Sequence, residues 1–294
     1  MTGGEFVAGA AAAASKAVVK AAEEQTAIDK DLRNIAAETP GMQAAASVYG
    51  RRQAVKQEIL LRLYKPLAAM VGVSKAYFDS DFGEDLAAKM ADVPDEEVRT
   101  PKASIAGPAM QGLGFSLDEL SLKDMYLELL AHASDSRTSD DAHPSFADVI
   151  RQLDSVEAEY LSTFLDGQHF PVMRIGLVHQ PSGGKTTAMT HVTDPQFTGG
   201  NPTGDARFSA YVDNWIRLGL IVCTYQGHLT RDGAYDWIDE HPLYLKGVDE
   251  AQLMVEHNIM HDGDTTVECV PEKGIMKPTS FGSQFARTVG LVTA

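Results

Sequence analysis

The amino-acid sequence predicts a mainly α protein with a C-terminal α+β region. Three observations carry that expectation. Ala, Glu, Lys and Gln dominate the first forty residues, and these are strong helix formers. Apolar residues then recur at helical spacing up to about residue 166. From Phe170 onward the texture changes to short β-prone runs punctuated by Gly, Pro, Asn and Thr.

Taken in order, Glu5 to about Glu38 reads as a helix with a thin apolar stripe of Val7, Val18, Val19, Ile28, Leu32 and Ile35, stopped by Thr39-Pro40-Gly41. A second helix, from about Gln43 to Tyr64, places Val48, Val55, Ile59 and Leu63 on one side. A short helix carrying Leu86 and Met90 ends near Val93-Pro94, and a linker follows. Ser121 and Asp124 form a capping-box-like pair, and Leu122, Met125, Tyr126, Leu129 and Ala133 then line one face of a helix. Residues 134–144, SDSRTSDDAHP, break it. One further helix carries Phe146, Val149, Ile150 and Leu153. Another starts at Asp154 or Ser155, buries Tyr160, Leu161, Phe164 and Leu165, and ends at Gly167.

Beyond it, one amphipathic helix spans about Arg207 to Leu218, with Phe208, Val212 and Trp215 inward. The strand GLIVCTY, the strand GIMKPT and a last helix FGSQFARTVGL complete a succession of helix, helix, strand, strand, helix. That order is similar to a winged-helix module, with NWIRLGLI and PTSFG at the passages expected there. The expected organisation is therefore a helical N-terminal arm over 1–98, a central acidic helical core over 99–166 and a winged-helix-like α+β region over 167–294. The last would share helix 154–166 with the core and carry a wing insertion at about 226–271.

Charge narrows the function classes. The chain of 294 residues carries 25 basic against 41 acidic residues, a formal net charge of −16, and no basic cluster offsets it. Polyphosphate partners are repelled by such a surface, so nucleic acid is disfavoured and a winged-helix DNA-binding regulator ranks as an alternative. No apolar run is long enough to span a bilayer, and the N-terminus lacks the basic n-region of a secretory signal. A cytoplasmic protein is expected, with Cys223 and Cys269 as unpaired apolar side chains.

Three groups of residues could carry chemistry. Gly183, Gly184, Lys185 and Thr186 superficially match a phosphate-binding loop, but the first glycine of that motif should stand where His179 is, and Pro195 breaks any helix after it. Strand-prone flanks make a β-hairpin turn the simpler reading. His257 and His261 share the spacing of zinc ligands, with Asp262 and Asp264 as oxygen donors, yet Asn258 stands where zinc proteases need a general-base Glu. Surface histidines are the favoured reading, and a metal-dependent enzyme is a further alternative. No cofactor is expected. Asp135, Arg137, Asp140, Asp141 and His143 form a polar loop whose local role is capping, with Pro144 opening the next helix.

That loop also carries a resemblance. The runs VPDEEVRTP, IAGPAMQGL and KDMYLELLAHASDSRTSDDAHPSFADVIRQLDSVEAEYL, with VDNWIRLGLI and KPTSFGSQF downstream, resemble the bacterial abortive-infection Abi-alpha family. The resemblance covers about 84–164 and, more weakly, the chain end. It implies anti-phage defence and supplies no reaction and no catalytic residue. The expectation is an interaction protein that contacts a protein partner or phage component near Tyr126, Asp135, Arg137, Asp140, Asp141, His143 and Phe146. A homo-oligomer is left open.

Overall fold

The computed structural model describes residues 50, 54–64, 75–198, 206–259 and 263–292. The expected helix over residues 5–38 lies outside them. The chain divides into two compact units, Met1–Leu61 and Arg62–Ala294. In the first, residues 54–61 are helical. The second holds every element named below.

Its first half is helical: α1 (Lys75–Asp79), α2 (Phe82–Lys89), α3 (Ala103–Phe115), α4 (Leu120–Ser134), α5 (Phe146–Ile150) and α6 (Ser155–Phe164). The spaced apolar residues of α4 explain the packing, since Leu122, Met125, Tyr126, Leu129 and Ala133 are all buried, against Ile105, Met110 and Leu113 of α3 and Phe146 and Ile150 of α5. A Cβ on Gly112 would come within 2.3 Å of the Tyr126 ring, so glycine is what lets α3 and α4 close. Asp154 caps α6 in a capping box with Glu157, its carboxylate accepting from the Val156 N–H at 2.9 Å.

The second half is an antiparallel sheet curled into a half-barrel. Its strands, β1 (Phe170–Gln180), β2 (Lys185–Thr193), β3 (Ile221–Thr224) and β4 (Thr266–Pro278), lie in the order β2-β1-β4-β3. Between them come α7 (Ala206–Arg217) and α8 (Pro242–Glu256), and α9 (Ser280–Thr288) follows. Met173 and Ile175 of β1 pack with Val192, Tyr235 and Ile238, while Leu177 packs with Ala251 of α8 and Val267 of β4. Phe170, Phe164, Phe208 and Trp215 join the sheet to α6 and α7, with Phe164 centred 4.9 Å from Phe170 and 5.5 Å from Trp215.

This sheet corrects the winged-helix expectation. β4 is not the short second strand of a wing: it runs thirteen residues and pairs with β1 from Phe170↔Met276 to Gln180↔Thr266. Only its last part, Ile275–Pro278, pairs with β3. The first half of this central strand falls within the stretch read as an insertion, 226–271, which also holds α8. The physical reason is local. Pro271 bounds the stretch read as an insertion and Gly274 opens the strand GIMKPT, but both lie inside β4, and a Cβ at Gly274 would meet Thr224 O and the Tyr225 ring at 2.6 Å. The fold is mixed α/β and not a winged helix.

Candidate functional site

The polar loop between α4 and α5 is built into the fold at both ends. At its start, Asp135 faces Val98 in an antiparallel bridge: Arg99 N–H donates to Ser134 O at 2.8 Å, and Ser136 N–H to Glu97 O at 2.9 Å. Tyr64 Oη lies 2.7 Å from Ser134 Oγ. The Asp135 carboxylate is buried and accepts from Arg137 Nε at 2.9 Å and Nη2 at 2.7 Å, a two-pronged pairing. Those bonds hold its carboxyl below the usual carboxylate range, against the opposing effect of burial.

At its far end the loop is tied to the C-terminal helix. Asp141 O accepts from Gln284 Nε2 of α9 at 2.8 Å. His143 Nδ1 accepts from the Ser145 N–H at 3.2 Å, and its ring rests on Phe146 and Phe281 at centroid distances of 5.8 and 5.9 Å. The sequence-selected residues therefore separate into two sets. Tyr126 and Phe146 are core, with the Tyr126 hydroxyl donating to Ala147 O. Arg137, Asp140, Asp141 and His143 reach the surface, Asp140 with its side chain 92% exposed and 3.5 Å from Arg99.

The other selected residues serve the sheet or lie apart. Residues 181–184 connect β1 to β2, and Lys185 and Thr186 are the first residues of β2. Gly183 has φ +72° and donates to His179 O at 2.9 Å. Asp264 is buried and accepts from Ser182 N–H and Oγ, both at 2.9 Å, so it pins this turn. His257 is exposed at the C-terminal end of α8. His261 and Asp262 lie outside the described residues. Among the described residues, no three His, Cys, Asp or Glu side chains are grouped to hold a metal ion.

Sequence reasoning passed over a second polar cluster, spread across the sheet. His191 of β2 presents Nε2 to Asp213 Oδ1 of α7 at 3.2 Å and Nδ1 to the Tyr225 hydroxyl at 3.0 Å. Cys223 of β3 lies beside the same phenol. The Arg174 guanidinium stacks 4.7 Å from the Tyr225 ring centroid and donates through Nε to Glu272 Oε2 at 3.0 Å, while Lys185 pairs with the other oxygen of Glu272. Burial pushes the Cys223 thiol and the Tyr225 phenol up, and pushes His191 down against the pull of Asp213. The upward shifts favour the protonated thiol and phenol, the opposite of what activates a nucleophile. No local spacing announces this cluster, because five separate elements contribute to it.

A helical layer joined to an antiparallel half-barrel, with a braced polar loop at the surface, makes this a mixed α/β protein. The sequence model for abortive infection alpha matches residues 74–289, and the chain belongs to that family. No curated protein and no solved structure matches it. Among the described residues, no helix is long and apolar enough to cross a membrane.

Proposed function

We propose that this abortive-infection protein acts in the cytoplasm by protein–protein contact, through the loop Asp135–Ser145 and the adjoining start of α9. The observation that carries this reading is the way the loop is mounted. Its backbone is tied to Glu97–Arg99 on one side and to Gln284 on the other, while Arg137, Asp140 and His143 stay at the surface. A polar surface already fixed in one shape loses little conformational entropy on binding, which favours recognition of a partner. The net charge of −16 favours a protein or peptide with basic groups over nucleic acid.

The test is plating of a broad phage panel on cells expressing the chain, with growth followed after infection. At least one phage is expected to plate poorly, with infected cells ceasing growth before progeny appear. Equal plating with and without expression across the panel would refute the reading.

A further inference from the structure

Tyr225 stands one residue beyond β3, at one edge of the sheet, yet its hydroxyl reaches β2 at the opposite edge. The ring crosses Gly274 of β4, where a Cβ would lie 2.6 Å from it, and Arg174 of β1. Its oxygen then accepts from the backbone N–H of His191 at 2.9 Å. His191 offers both that N–H and its ring to one phenol from a left-handed backbone, φ +57°, where the β1–β2 register is irregular.

We propose that Tyr225 and His191 form a pH-sensitive clasp across the half-barrel, in which proton uptake by the imidazole exchanges the Tyr225–His191 side-chain hydrogen bond for a His191–Asp213 ion pair. The proton count fixes the logic. The phenol oxygen accepts from the His191 N–H, and the clasp directs the phenol's own proton to Nδ1. Nδ1 is then bare and the ring proton sits on Nε2, facing Asp213 at 3.2 Å. Every polar atom is satisfied with the ring neutral.

A proton taken from water adds at Nδ1. That nitrogen becomes a second donor aimed at an oxygen already accepting, and the phenol proton loses its acceptor and must turn away. The imidazolium meanwhile gains a full charge opposite Asp213. The groups facing His191 are Asp213 from α7, Tyr225 and the Cys223 thiol from the β3 side, and Arg174 from β1, itself held by Glu272 beside Lys185. Asp213 alone favours the charged ring; burial and the Arg174 cation oppose it. Acidification thus weakens the tie from Tyr225 to the β2 edge and strengthens the tie from α7.

Nuclear magnetic resonance on the full chain tests this. In the unmodified protein the His191 ring is expected as the Nε2–H tautomer at pH 8, with a midpoint below the ordinary histidine value of about 6.5. The protection factor of the His191 amide should fall at least about tenfold between pH 8 and pH 5. Tyr225→Phe should raise the midpoint and leave that amide weakly protected at every pH, and Asp213→Asn should lower the midpoint. Should Tyr225→Phe fail to fold, the unmodified protein and Asp213→Asn still decide. Equal midpoints across the variants, or an amide protection factor that does not change with pH, would overturn the clasp.

Discussion

At the scale of the residue, Gly282 and two buried histidines carry the sharpest consequences. Gly282 lies where α9 passes Leu220, and a Cβ there would stand 1.9 Å from the Leu220 carbonyl oxygen. The obstacle is backbone, which cannot rotate aside. Gly282→Ala is therefore expected to cost ~3 kcal/mol, the upper range for overpacking, read as a lower urea midpoint with unchanged slope. His191 and His241 are both held below the ordinary histidine range, mainly by burial, and His241 Nδ1 accepts from the Leu243 N–H that it caps. A group whose folded pKa is depressed binds its proton first in the unfolded chain. Its stabilisation is whole above the unfolded value and is lost as pH falls toward the folded one. Urea midpoints should accordingly decline from pH 7.5 to pH 5.5, and less so for His241→Asn, whose side-chain oxygen can still cap the helix without titrating. A midpoint that is flat or rises on acidification would contradict this.

At the scale of the element, helices were legible where periodicity and caps agreed. The apolar residues chosen for α4 are the buried ones, although the helix opens at Leu120 and places Ser121 inside rather than at its cap. Asp154 was readable as the start of α6 and does cap it, so Asp154→Ala should cost about 1 kcal/mol by chemical unfolding. A loss below a few tenths would mean that tertiary packing alone holds that end. α8 was not legible as a whole, because Gly247 interrupts its pattern. The structure supplies the reason for the glycine: a Cβ would stand 3.0 Å from Cys269 Sγ and 3.1 Å from Ile175 Cγ2, so its absence lets helix and sheet approach. Only the second half of β4 was legible, as the strand GIMKPT from Gly274, because Pro271 bounded the stretch read as an insertion. Local rules read these residues as breaks, whereas long-range contacts decide their place.

At the scale of the whole molecule, the order of elements pointed to a winged helix, and the pairing of β1 with β4, from Gln180↔Thr266 to Phe170↔Met276, produced a half-barrel instead. Strand partners at that separation leave no local trace, and for the same reason the Asp213–His191–Tyr225 cluster escaped sequence reading. The loop between α4 and α5 was visible because its polar run is continuous in sequence; that Tyr126 and Phe146 face the core and His143 the solvent required the structure. The central claim, that defence acts through this loop surface, is tested most directly by phage plating with the double variant Asp140→Lys/His143→Ala at matched protein level and melting temperature. Protection is expected to fall at least about tenfold relative to the unaltered chain, the weakening that follows from losing ~1.4 kcal/mol of contact energy. Full protection by a folded double variant would contradict the account.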